Sequence, residues 1–142
     1  MADGELSRQL ASSQILDCNF DKDFCSWTQD TTDQKDWARQ ANGTATQGTG
    51  PSQDHTSGHG YYAYLETSTG FRGSSAQLIS PKITVGTGKA CLTFWYHMYG
   101  PHVADLNVYG PTNKIIWNRN GNQNNIWKQA SVDVSAGSSF SM

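Results

Sequence analysis

Gly50-Pro51-Ser52-Gln53-Asp54-His55-Thr56-Ser57-Gly58-His59-Gly60-Tyr61-Tyr62-Ala63-Tyr64-Leu65-Glu66 is where loop chemistry becomes strand chemistry in this chain. Gly50-Pro51 is a turn signal, and Ser57-Gly58 and Gly60 repeat it. From Tyr61 the residues are aromatic and aliphatic. Ala63 and Leu65 alternate with Tyr62 and Tyr64, which predicts a strand over 61–66. The loop before it carries one acid, two imidazoles and several hydroxyls. A polar loop delivered onto a strand is where a site is expected.

Working outward, Ala90 to Met98 is the strongest strand candidate. Leu92, Phe94, Tyr96 and Met98 alternate with Cys91, Thr93, Trp95 and His97, and both faces are largely apolar, as in a central strand of a sandwich. Asp105 to Tyr109 alternates with Leu106 and Val108 inward. Gly110-Pro111-Thr112-Asn113 reads as a four-residue hairpin loop, with the chain returning over Lys114 to Trp117. Trp127 to Val134 puts Ala130, Val132 and Val134 on one face. Shorter strands are expected at 15–20, 36–39, 76–80 and 83–85, with Trp37 inward and Pro81 ending the third of these runs or setting it at an edge. Gly86-Thr87-Gly88 and Ala136-Gly137-Ser138-Ser139 read as turns, and Phe140 opens a further element. Helical period is absent over any long window. Strands at roughly ten-residue spacing predict an all-β, jelly-roll-like antiparallel β-sandwich.

Composition agrees. The chain has 142 residues, 15% of them charged, with 14 glycines, five tryptophans and a formal net charge of −2. That length suits one domain with a real core. That balance does not point to a nucleic-acid or anionic-membrane partner. No apolar run approaches the roughly 18 residues of a membrane span. Met1 to Ser13 contains Asp3, Glu5 and Arg8 and lacks an apolar stretch, so it is not a signal peptide. Residues 1–14 read as a disordered leader, and the start as that of an internal fragment.

Catalytic signatures are missing. Serine, histidine and aspartate stand in no G-x-S-x-G elbow, and the Gly-Thr-Gly triplets are turns, not phosphate cradles. His55 and His59 have the spacing of a helical zinc pair, but Gly58 and Gly60 rule out the helix. Asp21, Asp23, Asp30 and Asp54 lie in loops. There they suit either a hard cation or the ordinary capping of backbone amides. The tryptophans read as core. A sugar-stacking platform would require two or more of Trp95, Trp117, Trp127 and Tyr109 to be exposed on one face. The cysteines leave two readings open. Either Cys18 and Cys25 close a short loop, contributing about 2–3 kcal/mol, with Cys91 left over, or all three are reduced thiols. Asn42-Gly43-Thr44 is an N-glycosylation sequon on a turn.

The opening stretch, G-P-x-x-D-H-T-x-G-x-G-Y-Y-x-x-x-E, resembles the central signature of the MAM domain, the extracellular module named from meprin, a neuronal antigen and a receptor phosphatase. The likeness extends from Leu16 to Phe140. Cys18-Asn19-Phe20-Asp21 is similar to its C-D-F-E start, Phe24-Cys25-Ser26-Trp27 to its L-C-x-W, and Asp36-Trp37-Ala38-Arg39 to its D-W-x-R. Gly73 with Ala76 to Pro81 resembles G-x-x-A-x-L-x-S-P, and Cys91 to Gly100 resembles C-L-x-F-x-Y-x-M-x-G. Trp117 and Trp127 also fall in expected places. The resemblance implies one β-sandwich over 15–142, incomplete at its C-terminus, where the family continues with further strands and a fourth cysteine. It implies a disulfide-stapled, glycosylated extracellular ectodomain with a Cys18–Cys25 bridge and with Cys91 as an unpaired thiol. It implies no catalysis and no cofactor beyond a calcium or sodium ion near Asp21 and Asp54. Its partners would be proteins, like domains among them, with cell adhesion or oligomerisation of a larger membrane or secreted protein as the function. The alternative is a carbohydrate-binding jelly roll.

Overall fold

A computed structural model describes residues 17–83, 89–135 and 139–142. Eight strands order this part of the chain: β1 Thr28–Gln29, β2 Ala38–Ala41, β3 Tyr61–Tyr64, β4 Leu78–Ile79, β5 Lys89–Tyr96, β6 Asp105–Tyr109, β7 Ile115–Asn120 and β8 Lys128–Ser135. All pairings are antiparallel: β1 with β4, β2 with β3, β5 with β8 and β6 with β7. The architecture is the expected all-β one.

The last residues join two of these ribbons. Ser141 bridges Ile79 of β4 on one side and Tyr109 of β6 on the other. Its amide donates to the Tyr109 carbonyl at 3.1 Å, and the Tyr109 amide donates to the Ser141 carbonyl at 2.8 Å. Met142 exchanges a similar pair with Leu78 at 2.8 and 2.9 Å. The element expected to open at Phe140 is therefore the seam of a sheet running β1, β4, residues 140–142, β6, β7. Its outer edge is β7.

β5 and β8 form the longest ladder, with Leu92 opposite Val132 and Phe94 opposite Ala130. Their shared inner face, Ala90, Leu92, Phe94, Tyr96, Ala130, Val132 and Val134, is buried with Leu106 and Val108 of β6 in one core. Trp117 of β7 meets the rings of Phe94 and Tyr96 edge-on at 5.1 and 5.3 Å, closing the space between the sheets. Phe94 and Val108 are wholly buried. Each such side chain contributes about 1.5–3 kcal/mol by leaving water.

Several expectations need correction. No strand covers the described part of 15–20, residues 17–20; Ile15 and Leu16 lie outside the described residues. Phe20 has φ 61° and Cys25 φ 57°, left-handed values that break strand geometry, and Asn19 and Asp23 accept from the amides of Asp21 and Cys25 in local turns. β2 begins at Ala38, one residue after the buried Trp37. β3 stops at Tyr64, and Tyr62 and Ala63 are both buried, so both of its faces are covered. The 76–80 run shrinks to Leu78–Ile79, and β8 starts after Trp127. The outer face of β5 is not fully apolar core: Cys91, Thr93 and Trp95 are half-buried. Ile83 is buried outside any strand. The leader, Thr84, Val85, the Gly86-Thr87-Gly88 turn and residues 136–138 lie outside the described residues.

Candidate functional site

The loop from Gly50 to Gly60 is folded around one carboxylate. Asp54 is 5% exposed. Its Oδ2 accepts from the amides of Ser57 at 2.7 Å and Thr56 at 3.1 Å, and its Oδ1 accepts from the amide of Gly60 at 2.9 Å. The Ser57 hydroxyl adds a contact at 3.0 Å. Burial alone would push the Asp54 carboxyl up. The amides of Ser57, Gly60 and Thr56 and the Ser57 hydroxyl outweigh it and hold the group below its ordinary value.

A second carboxylate closes on the same loop. Asp21 Oδ1 accepts from the Tyr61 amide at 2.9 Å. A Cβ on Gly60 would lie 2.6 Å from Asp21 Oδ1 and 3.3 Å from Asp54 Oδ2, so only glycine lets both acids approach. Arg39 ties the corner down. Its Nε donates to the Phe20 carbonyl at 2.6 Å, and its guanidinium lies 4.4 Å from the centre of the Tyr61 ring. Gly100 performs the same service at the other end of the loop. Its φ is 129°, a Cβ there would strike Thr49 at 2.6 Å, and the neighbouring Tyr99 carbonyl receives the Gly50 amide at 3.0 Å.

Asp21 and Asp54, the expected ion ligands, are thus brought together. Among the described residues no third histidine, cysteine or acid joins them. Calcium takes six to eight oxygens, and here both carboxylates already receive backbone amides. These residues fit a clasp between carboxylates and amides better than a calcium cage.

The clasped loop presents His55 to the end of the β5–β8 sheet. The His55 ring stacks on Trp95 at 3.7 Å and 17° and meets Trp127 edge-on at 6.3 Å. The Trp127 indole donates to the Gln53 carbonyl at 3.2 Å and packs edge-on against His97 at 5.1 Å. Around these rings lies a cleft of about 340 Å3, completed by Pro51, Ser52, Asn125 and Ile126. His97 is 2% exposed, and its Nε2 lies 3.0 Å from Asn125 Oδ1. Its Nδ1 is buried with no hydrogen-bond partner. Burial pushes this imidazole down to about 4, against the smaller upward pull of Asn125, so it is neutral at physiological pH. Sequence reasoning placed Trp95 and Trp127 among candidates for a platform and missed His97, whose alternation marked it only as a strand residue.

The other expected residues are placed as follows. Cys18 and Cys25 form a disulfide with Cα atoms 5.8 Å apart. Cys91 is half-buried and unbridged, its Sγ 2.9 Å from the Ser131 hydroxyl. Asn42 is exposed at the end of β2 in a left-handed turn with φ 60°, and its carbonyl accepts the Tyr62 hydroxyl at 2.8 Å. His59 is exposed, and His55 is engaged with Trp95, so the two serve different surroundings. Trp27 and Trp37 are buried, while Trp95, Trp117 and Trp127 are half-buried. Among the described residues no helix is long and apolar enough to cross a membrane.

Comparison with known proteins matches residues 18–142 to the MAM domain, meprin/A5/mu. MAM domain-containing protein 2 of Mus musculus is 40% identical over 124 residues, covering 84% of this chain and 18% of that protein. Thyroid hormone-induced protein B of Xenopus laevis is 42% identical over 143 residues, covering 91% of this chain and 21% of that protein. MAM domain-containing glycosylphosphatidylinositol anchor protein 1 of Homo sapiens is 37% identical over 136 residues, covering 87% and 14%. The chain therefore spans about a fifth or less of the curated relatives it matches. Matched by the family model over residues 18–142, this chain belongs to the MAM domain family.

Proposed function

We propose that this chain is a non-catalytic extracellular module that makes protein–protein contacts, homophilic ones included, for adhesion or oligomerisation of a larger membrane or secreted protein. The Cys18–Cys25 bridge supports an oxidising compartment. The small share of each relative that is matched, and a relative named for a glycosylphosphatidylinositol anchor, support a part within a larger surface protein.

The observation that carries the reading is the open edge of β7. Among the described residues β7 pairs with β6 alone. Ile115 is 48% exposed and Ile116 39%, and Asn118, Arg119 and Asn120 are exposed beyond them. An edge strand with free backbone groups and apolar side chains is a template for another strand, and proteins that avoid such pairing place proline, lysine or bulges there. β7 itself carries neither proline nor lysine; its ladder to β6 shifts register between Val108 and Tyr109, which leaves Ile116 as an extra residue in a bulge and residues 117–120 as the regular part of the edge. Its single cation, Arg119, lies 5.0 Å over the Trp117 ring, leaving the two isoleucines as the contact.

The test is bead aggregation with an Fc fusion of the secreted chain, beside sedimentation equilibrium of the free chain. Coated beads should cluster, the free chain should self-associate, and Ile116→Asp should abolish both while keeping the fold, because Ile116 is already exposed. Dispersed beads and a monomer throughout the concentration range would overturn the homophilic contact.

A further inference from the structure

The cleft at His55, Trp95 and Trp127 is separate from the β7 edge, and its chemistry is of another kind. No Asp, Glu, Lys or Arg lines it, so it offers no counter-charge to a phosphate, carboxylate or ammonium group. Its walls are aromatic rings and Ile126, which is 57% exposed. Its polar residues are Ser52, Gln53, His55, His97 and Asn125. With Asn125 Oδ1 as the acceptor, Nε2 of His97 carries the proton, and Nδ1 holds a buried lone pair that nothing fills. Nδ1 is closed to solvent, so the hydrogen-bonding group within a ligand's reach is the exposed amide of Asn125.

A purely apolar anchor would cover the amide of Asn125 without offering its NH2 a partner, at a desolvation cost. A charged ligand would meet no opposite charge. A neutral sugar ring satisfies both constraints, since its C–H faces lie on aromatic rings and its rim of hydroxyls both donates and accepts. The volume, about 340 Å3, stands at the small end of ligand pockets, which run from about 300 to 1,000 Å3, as suits a mono- or disaccharide.

We propose that this cleft is a binding subsite for a neutral saccharide, packed against Trp127 and Ile126 and hydrogen-bonded through its hydroxyls to the amide of Asn125. A sugar platform requires two or more of Trp95, Trp117, Trp127 and Tyr109 exposed on one face; Trp95 and Trp127 line one cleft but are half-buried, and His55 stacks on Trp95. Trp117 and Tyr109 stand away from it, on β7 and β6. The site does not depend on the edge contact, and either can fail alone.

The test uses the secreted chain on an array of neutral, sialylated and sulfated glycans. The best neutral hit is then titrated as free sugar, followed by 1H–15N NMR of the indole N–H signals. Neutral glycans should be retained, and the indoles of Trp95 and Trp127 should shift while those of buried Trp27 and Trp37 stay fixed. Trp127→Leu should weaken binding by about tenfold or more, the size expected for one lost contact. Trp127 also holds the Gln53 carbonyl, so that variant could disturb the loop. Asn125→Ala, at an exposed position, provides the independent check and should weaken binding by a similar factor. Retention of no neutral glycan, retention of anionic glycans alone, or shifts confined to other indoles would each overturn the proposal. So would a neutral hit that both variants bind as well as the parent chain does.

Discussion

Replacing Asp54 by asparagine removes the charge from the centre of the signature loop with little change in size. In the parent chain both carboxylate oxygens are used: one receives Ser57 and Thr56, the other Gly60. Asparagine keeps one acceptor oxygen and turns an NH2 toward at least one amide donor. Hydrogen bonds to charged groups contribute roughly 1.5–3 kcal/mol each and do not add fully within one cluster, so the variant should lose about 3 kcal/mol. That is a large part of a domain stability of about 5–15 kcal/mol. With a urea m-value of about 1–3 kcal/mol/M, the midpoint should fall by about 1–3 M. The loss should depend on pH in one direction. The folded carboxyl titrates below its ordinary value of 3.8, so its contribution is complete above that value and disappears as pH falls through the folded pKa. Asparagine does not titrate. The gap between parent and variant, read by tryptophan fluorescence in urea, should therefore be widest near neutrality and should narrow on acidification below 3.8. A gap under about 0.5 kcal/mol at neutral pH, the scatter of ordinary surface substitutions, would refute the clasp. So would a gap of constant size at all pH values.

Two further outcomes are expected. Cys18→Ser with Cys25→Ser should cost about 2–3 kcal/mol through the freed loop, read as a lower urea midpoint that reductant does not lower further; a non-reducing peptide map of the parent should show Cys18 joined to Cys25 and Cys91 open to alkylation. Chain from a secretory host should lose mass on treatment with PNGase F while Asn42→Gln does not, because the sequon sits on an exposed turn; identical migration of both, treated or not, would remove Asn42 as a glycan site.

What could be read from sequence is what repeats locally. The inner face of β8 is Ala130, Val132 and Val134, and the inward pair of β6 is Leu106 and Val108, as strict alternation predicts. The Gly110–Asn113 loop closes as expected, the Gly110 amide meeting the Lys114 carbonyl at 2.9 Å. Legibility ended where partners are remote. β1 and β4 have two residues each and exist because Thr28 faces Ile79 and Gln29 faces Leu78, pairings that no local period announces. The opening corner failed for a different reason. Phe20 looks like a strand residue, yet the bridge and the flanking Asx turns hold it at a positive φ while its ring stays in the core. The cleft was legible only in pieces, since aromatic residues advertise burial and give no hint of which distant ring they will meet.

The two halves of the signature stretch also explain each other. The clasp at Asp54 and Asp21 is made with backbone: the amides of residues 56, 57, 60 and 61 face the two carboxylates. What it fixes is the path of the adjoining residues. Gln53 lies on one side of Asp54 with its carbonyl on the Trp127 indole, and His55 lies on the other with its ring on Trp95. A carboxylate between two cleft-forming neighbours positions both of them at once. Weakening the clasp should therefore loosen the His55 stack before it disturbs the core around Phe94 and Val108, whose contacts are made by other strands. Partial acidification would then change the Trp95 and Trp127 indole environments at a higher pH than the global transition. That ordering follows if the acids in the loop shape the cleft, and it would be absent if they only stabilised the fold as a whole.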